Sequence, residues 1–210
     1  MSVKVHEAIC MDSAQKRFWW MDHFLGDQVQ DEWNSTGNVG SAAVVDAQTG
    51  GIVRITTGAT ANDNWRIDWG VIRSLLVAKK IVIEWRAKLS QIGAMILQIG
   101  CRFDGANKFY FWYDTNMGVN WYIHTDAVGG SSVDTGIVVD TDWHIYRIEA
   151  HTHGSNHLHF YYDGAEVTGS PLTVAANITA NHVMPWCYLH TREDVLKIVD
   201  IDYVAARQDR

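Results

Sequence analysis

Short runs of alternating apolar and polar residues, separated by turn-forming residues, limit the fold of this chain more than any other feature. Residues 81–89 carry apolar side chains at every odd position, with Glu84, Arg86 and Lys88 between them. Residues 65–69 alternate in the same way. A period of two is typical of a strand with one face in the core and the other in solvent. The pattern therefore predicts an all-β protein.

Composition agrees with strands joined by turns. The 210 residues include 17 Gly but only 2 Pro, and 10 Trp supply large apolar side chains. Turn signals divide the chain into about ten to twelve predicted strands, which is typical of a sandwich or barrel. No repeat of fixed period is visible, which argues against a propeller or solenoid. We predict an irregular N-terminal arm over residues 1–25 and one two-sheet antiparallel jelly-roll sandwich over residues 26–210.

Two local expectations follow from the same reading. Residues 71–80 are the only segment for which we expect a short helix. Pro171 and Pro185 are expected at strand edges or turns, since proline has no N–H to donate to a sheet.

Charge and cysteine content exclude several classes of function. Lys and Arg total 17 and Asp and Glu total 24, so the net charge is −7. An acidic chain is a poor binder of nucleic acid, whose phosphates dominate the affinity. No apolar stretch is long enough to span a membrane, and no apolar segment follows the start, so we expect neither membrane insertion nor a signal peptide. The three cysteines are widely spaced, without a zinc-binding pair.

The N-terminal arm contains a cluster of large apolar residues. These are Phe18, Trp19, Trp20 and Phe24. Terminal segments become ordered only when something holds them. The cluster therefore predicts either an arm that packs on its own domain or an arm that docks on a partner protein, and the residues alone do not separate these alternatives.

A histidine-rich segment gives the sharpest candidate metal site. In a hairpin turning at residues 154–156, His153 would pair with His157, and His151 with His159. All four imidazoles would then share one face, and directly opposed Cβ atoms lie about 4.5–5.5 Å apart. This geometry suits Zn²⁺ or Ni²⁺. The alternatives are a polar hairpin tip without a ligand and a contact that responds to pH. Apart from a divalent metal here, we expect no cofactor.

Three segments of the C-terminal third resemble a known family. They are W-H-I-Y-R-I-E from Trp143, H-F-Y-Y-D-G from His159 and V-D-I-D-Y-V from Val199. Their order resembles the concanavalin A-like lectin/glucanase jelly rolls. Residues 22–33 and 50–59 look like the opening of such domains in bacteriophage structural proteins. The resemblance covers roughly residues 20–206 and implies a virion-associated β-sandwich.

The main functional expectation is a non-enzymatic bacteriophage virion protein, either a head decoration (cement) protein or a tail component. Such a protein would form a homo-oligomer, such as a trimer, and dock on other virion proteins. It would be assembled in the host cytoplasm and located in the virion. The alternative is a lectin-like carbohydrate-binding or receptor-binding module with a cell-surface glycan as its partner. A polysaccharide-active enzyme is the least favoured reading.

Carbohydrate binding has its own candidate residues, because lectin-like jelly rolls hold sugars by aromatic stacking and by amide and carboxylate hydrogen bonds. The candidates are Trp112, Tyr113, Asp114, Asn116, Asn120, Trp121 and Tyr122. Strand alternation could equally turn one ring of each neighbouring Trp–Tyr pair into the core. No catalytic residue is predicted, because laminarinase-like members of this superfamily carry an E-x-D-x-x-E strand motif that this chain lacks.

Overall fold

The computed structural model describes residues 17–24, 29, 33–46, 51–70, 75–103, 108–126, 130–151, 156–174 and 182–209. These residues form seventeen strands and one short 3₁₀ helix, η1 (Val77–Lys79). The strands are β1 (Arg17–Asp22), β2 (Asn34–Gly37), β3 (Gly40–Asp46), β4 (Ile52–Thr57), β5 (Asn64–Asp68), β6 (Leu75–Leu76), β7 (Val82–Leu89), β8 (Met95–Phe103), β9 (Lys108–Asp114), β10 (Asn120–Thr125), β11 (Ser131–Val138), β12 (His144–His151), β13 (His157–Tyr162), β14 (Ala165–Glu166), β15 (Leu172–Thr173), β16 (His182–Thr191) and β17 (Ile198–Asp209). Within this part of the chain, no helix is long and apolar enough to cross a membrane.

Two antiparallel sheets form a sandwich, which confirms the predicted jelly-roll class. The first sheet has the order β14-β13-β12-β7-β17-β4-β3, and β1 and β15 join it by pairing with β17 and β13. The second sheet has the order β11-β10-β9-β8-β16-β5-β2, and β6 joins it by pairing with β16. Many neighbouring strands are distant in sequence, so the chain crosses repeatedly between the sheets, as jelly rolls do.

The core lies between the inner faces of the two sheets. In β7, the predicted alternation is confirmed, with Ile83, Trp85 and Ala87 fully buried and Glu84 on the opposite face. The Trp85 indole reaches the facing sheet, where its N–H donates to the carbonyl oxygen of Gly100 at 3.2 Å. Side chains of the two inner faces therefore interlock, as expected for sheets that pack about 10 Å apart.

The end of the predicted N-terminal arm is a strand of the first sheet. β1 pairs with the last part of β17, with Arg17 opposite Asp209 and Asp22 opposite Val204. Both carboxylate oxygens of Asp22 then accept hydrogen bonds, one from the backbone N–H of the second residue after it at 2.7 Å and one from the Trp33 indole at 2.8 Å. These bonds fix the chain as it leaves the strand.

Two of the four arm residues predicted to dock on a partner pack on their own domain instead. Phe24 is only 1% exposed, and the Trp20 ring lies 4.1 Å from the ring of Trp69 between centroids. For this pair, the alternative of an arm that packs on its own domain is correct, because the side chains bury apolar surface against the core. The side chains of Phe18 and Trp19, together with residues 1–16, lie outside the described residues.

Two local expectations need correction. Within residues 75–79 the helix is limited to the three residues of η1, because residues 75 and 76 form strand β6, and residues 71–74 lie outside the described part of the chain. Pro185 lies inside β16, opposite Cys101 of β8, and not at a strand edge or turn. On its other side, pairing with β6 ends at Val183 and pairing with β5 begins at Trp186. Proline fits there because it occupies the gap between two partner strands.

Candidate functional site

The histidine-rich hairpin has a different register from the predicted one. His151 lies opposite His157, and His159 lies opposite Glu149. The predicted pairing of His153 with His157 is therefore wrong, because the segment joining the paired residues is longer by two residues than expected. The predicted face is correct for the described part, since the neighbouring residues Leu158 and Phe160 point into the core.

His159 contacts a carboxylate, that of Glu166, more closely than it contacts another histidine. Its Nδ1 lies 2.6 Å from a carboxylate oxygen of Glu166, while the rings of His157 and His159 are 6.3 Å apart between centroids. The described residues contain no group of three or more His, Cys, Asp or Glu side chains that could hold a metal ion. The side chain of His151 and all of His153 lie outside those residues, so a divalent metal at the hairpin stays a prediction.

The predicted sugar-binding residues fall on two faces of the second sheet. Tyr113 and Trp121 are each 1% exposed and belong to the core. Their neighbours Trp112 and Tyr122 point the other way and lie opposite each other on β9 and β10. Strand alternation separates each pair, so the two buried rings are not available to a ligand at the surface.

The predicted polar residues surround the turn between β9 and β10. The backbone N–H of Asn116 donates to a carboxylate oxygen of Asp114 at 2.9 Å, which holds the turn. Asn120 donates to the carboxylate of Asp134 on β11 at 3.0 Å. Asn116 therefore stabilises the turn. Asp114 and Asn120 lie at the ends of β9 and β10, the strands that carry Trp112 and Tyr122.

The outer face of the second sheet carries an array of aromatic rings, which we call the aromatic face. Its members lie on three strands: Tyr110 and Trp112 on β9, Tyr122 and His124 on β10, and Trp186, Tyr188 and His190 on β16. Five of these rings are half-buried and reach the surface in part, whereas Tyr110 and Trp186 are buried, at 4% and 2% exposed. Registered pairing places Trp112, Gln98 and Tyr188 side by side across β9, β8 and β16.

The predicted sugar-binding residues do not include the rings on β16. Trp186 and Tyr188 stack with their planes 4° apart and their centroids 5.8 Å apart, and His190 continues the stack at 6.2 Å. The signal was present, because Cys187 and Leu189 alternate with these rings and are fully buried. Two aromatic residues and a histidine on the side of one strand that faces away from the core are typical of an interaction surface.

Gly100 joins the two halves of the aromatic face. It lies between Tyr110 and Trp186 in the registered row. A Cβ atom at this position would meet the Phe109 carbonyl oxygen at 2.4 Å and the Cα of Tyr110 at 2.6 Å. Because Gly100 has no side chain, the flanking rings meet edge to face with their centroids 5.8 Å apart. The glycine is therefore required for a continuous aromatic surface.

Buried nitrogen atoms without a hydrogen-bond partner among the described residues are concentrated on this outer face. Six are ring or guanidinium nitrogens of the face: Nε of Arg66, Arg102 and Arg192, Nε1 of Trp112 and Trp186, and Nδ1 of His190. A buried polar group without a partner costs about 1–3 kcal/mol. Six such groups on one face indicate a surface shaped to hydrogen-bond a polar ligand.

Two aspartates lie among these nitrogens and hold the arginines in place. Asp68 is fully buried, and its carboxylate lies 3.1 Å from Nη2 of Arg102. At the other end of the face, Asp114 accepts a 2.7 Å hydrogen bond from Nη2 of Arg192. Each of these two arginines thus uses a terminal nitrogen on an aspartate while its Nε remains without a partner among the described residues.

Two side chains of the face are held in their neutral forms. Burial, reinforced by the charge of Arg192, lowers the pKa of His190. Burial, together with the charge and hydrogen bond of Asp126, raises the pKa of Tyr110. At neutral pH the imidazole of His190 and the phenol of Tyr110 are therefore both uncharged.

Sequence comparison finds no matching family model and no matching curated protein. Structural comparison does find similar proteins. The structure of an immunostimulatory antigen and pseudo β-1,3-glucanase of Mycobacterium tuberculosis has a TM-score of 0.69 and 14% identity, over 91% of this chain and 98% of that one. A β-1,3-glucanase from Mycobacterium marinum has a TM-score of 0.67 and 13% identity, over 89% and 97% of the two chains.

A third similar structure is a glycoside hydrolase family 16 endo-glucanase from Bacteroides ovatus. Its TM-score is 0.66 and its identity 11%, over 88% of this chain and 98% of that one. Likenesses at this identity show the fold, here the concanavalin A-like jelly roll of family 16 glucanases. Function has to be argued from the site itself.

The predicted bacteriophage function is wrong, and so is the prediction that the chain is not an enzyme. The structural neighbours are glucanases and a pseudo-glucanase, and nothing among them supports a virion, a capsid, a tail or virion partners. The motif that prompted the resemblance contains Tyr146, Ile148 and Phe160, which are core residues. It therefore reports the sandwich shared by these proteins and not the setting in which any of them works.

Proposed function

We propose that this chain is a carbohydrate-active protein that binds a glycan along the aromatic face. The observation that carries the proposal is a coincidence of two features on one surface. Half-buried rings lie beside six buried nitrogens that have no hydrogen-bond partner among the described residues. Sugars match both, because their C–H faces stack on aromatic rings and their hydroxyls both donate and accept hydrogen bonds.

The stacking part of the site rests on Trp112, Tyr122 and Tyr188. All three are half-buried, and their strands place them in one registered row. Gln98 lies within that row between Trp112 and Tyr188. A sugar unit over either ring would have an amide group beside it, which can pair with two hydroxyls.

The hydrogen-bonding part of the site lies on both sides of that row, along the direction of the strands. Arg192, held by Asp114, lies on one side of the row, and Arg102, held by Asp68, lies on the other. An arginine fixed by a carboxylate keeps its remaining N–H groups in a defined direction. Hydroxyl groups that accept from the partnerless Nε atoms would remove a cost that the protein otherwise bears.

The width of the second sheet suits an oligosaccharide of several sugar units rather than a single sugar. Seven strands lie side by side from β11 to β2. At about 4.8 Å between strands, they span about 29 Å. The aromatic rings occupy the middle of this width, on β10, β9 and β16, and the polar residues of β5 continue the surface beyond them.

The test is calorimetric titration of the protein with neutral β-glucan hexasaccharides, β-1,3-linked and mixed-linkage. These ligands are chosen because the structural neighbours include a β-1,3-glucanase and an endo-glucanase. Saturable binding that disappears when Trp112 is replaced by alanine would support the proposal. The same samples are assayed for new reducing ends, which separates a hydrolase from a module that only binds.

A further inference from the structure

One end of the aromatic face carries three cations that its stacking role does not require. They are Arg66 on β5, Arg102 on β8 and Lys108 on β9. Lys108 and Arg102 lie directly opposite each other in the register of β9 and β8. All three side chains belong to the same outer face as Trp186, and all three are half-buried.

The three cations converge on Trp186 and Asp68. The ammonium nitrogen of Lys108 lies 4.6 Å from the centroid of the Trp186 ring. Nη2 of Arg102 lies 3.1 Å from the buried carboxylate of Asp68, and Nε of Arg66 lies 3.8 Å from the same carboxylate. Asp68 lies opposite Trp186 on the neighbouring strand. One buried carboxylate is thus shared by two arginines, with a lysine beside them.

The two acids beside these three cations, Asp68 and Asp126, carry fewer charges than the cations do and so do not neutralise them. Burial lowers the pKa of Lys108, and Arg102 and Arg66 lower it further, against the opposing charge of Asp126. Asp126 is itself engaged by His124, whose Nε2 lies 2.6 Å away. Cations that repel one another at a partly buried site favour the arrival of an anion.

The partnerless atoms of the cluster indicate where an anion would be held. Nε of Arg66 and Nε of Arg102 are buried and have no hydrogen-bond partner among the described residues, and the same is true of Oδ2 of Asp68, which forms ion pairs with both arginines. A charged oxygen forms stronger hydrogen bonds with guanidinium groups than a neutral hydroxyl does. The chain as a whole carries a net charge of −7, so general attraction does not draw polyanions to this surface.

We infer that the glycan bound on the aromatic face carries a negatively charged substituent, a carboxylate or a sulfate, which lies between Arg66, Arg102 and Lys108. This inference rests on the proposed glycan binding and adds the class of sugar. The stacked rings would bind the sugar backbone, and the cation cluster would select an acidic unit at the Trp186 end. Neutral glycans would leave the two Nε atoms to weaker hydroxyl partners.

The test compares three hexasaccharides by calorimetry at low salt: a neutral β-1,3-glucan, an oligogalacturonate and a sulfated galactan. We expect at least one acidic ligand to bind about tenfold more tightly than the neutral one, because charge-assisted hydrogen bonds are about twice as strong as neutral ones. Which acidic ligand is preferred separates a carboxylate from a sulfate. The advantage should shrink as salt is added, since these side chains are only partly buried.

Single substitutions test whether the tighter binding of acidic hexasaccharides depends on the three cations. Lys108→Gln and Arg66→Gln should each remove most of the acidic advantage, and Lys108→Gln should leave neutral binding unchanged. Lys88→Gln, on the outer face of the first sheet near Trp143, is the matched control and should change nothing. Lys108 does not contact the buried Asp68 carboxylate in the described structure, so its substitution keeps the test valid if Arg66→Gln unfolds the protein.

The outcomes separate this inference from the proposed function. If the neutral hexasaccharide binds in a way that depends on Trp112, and neither acidic hexasaccharide binds more tightly, the inference is overturned but the proposed function is not. An acidic preference that Lys108→Gln leaves intact also overturns it. Failure of all three hexasaccharides to bind overturns the glycan-binding proposal and the inference together.

Discussion

Tyr110 and Trp186 pack edge to face across Gly100, with their ring centroids 5.8 Å apart and their planes 65° apart. The contact joins the rings of β9 and β10 to the stack on β16, although β8 separates these strands in the sheet. It depends on the missing side chain at Gly100, since a Cβ there would overlap the neighbouring backbone. A single glycine thus determines whether the aromatic face is one surface or two.

The first prediction concerns that glycine. Gly100→Ala should lower the free energy of unfolding by about 1–3 kcal/mol, because the added methyl group overpacks the backbone of β9. It should also weaken glycan binding, since the rings on either side must move apart. Urea unfolding measures the first effect and calorimetric titration the second.

The control lies on the same strand with its side chain on the opposite face. Ile99 is fully buried in the core, and Ile99→Val should cost about 0.5–1.5 kcal/mol without touching the aromatic face. Its affinity for glycan should remain that of the parent protein. Equal loss of affinity in both variants would show that Gly100 acts only through stability.

The second prediction concerns pH and His144. Nδ1 of His144 lies 2.7 Å from Asp163, and Nε2 lies 2.7 Å from Asp140. Burial lowers the pKa of His144, but the hydrogen bonds and charges of Asp163 and Asp140 outweigh burial and raise it overall. The unfolded value is about 6.5. The stabilisation is therefore complete below that pH and is lost as the pH rises through the folded pKa.

The measurement is urea unfolding of the parent protein and of His144→Gln at about pH 5.5 and about pH 8.5. The substitution should cost more stability at the lower pH, where the imidazolium between the two carboxylates is fully formed. A loss of equal size at both values would contradict the charged pairing.

The third prediction concerns Phe24, which the sequence offered as a partner-docking residue. Because it is 1% exposed and packs 5.5 Å from Trp33 between ring centroids, Phe24→Ala should lower the free energy of unfolding by about 3–5 kcal/mol. The exposed Val138, substituted by alanine, should change it by less than about 0.5 kcal/mol. A Phe24→Ala protein as stable as the parent would argue for a docking role after all.

The sandwich could be predicted because its signal is local. Alternation in β7, and the opposite faces taken by Trp112 and Tyr113, follow from a period of two that any strand obeys. Register is harder, because it depends on loop length. The hairpin joining β12 to β13 pairs His151 with His157, whereas the sequence predicts a connection shorter by two residues.

The candidate site could be predicted only in part. In residues 109–113 every side chain is aromatic, so the sequence does not say which rings face outward. The neighbours of Trp112 across the sheet, Gln98 and Tyr188, come from strands far apart in the chain. The partnerless nitrogens appear only once arginines and aspartates from separate strands meet, and no local pattern encodes that meeting.

The most direct test of glycan binding on the aromatic face compares two tryptophan variants by calorimetric titration with the glycan that the parent protein binds. Trp112→Ala removes a ring from the aromatic face, whereas Trp143→Ala removes one that packs beside Arg86 and Lys88 of the first sheet. We predict that Trp112→Ala lowers affinity by at least about tenfold and that Trp143→Ala retains it. Unchanged affinity in Trp112→Ala, or a loss confined to Trp143→Ala, would contradict the account.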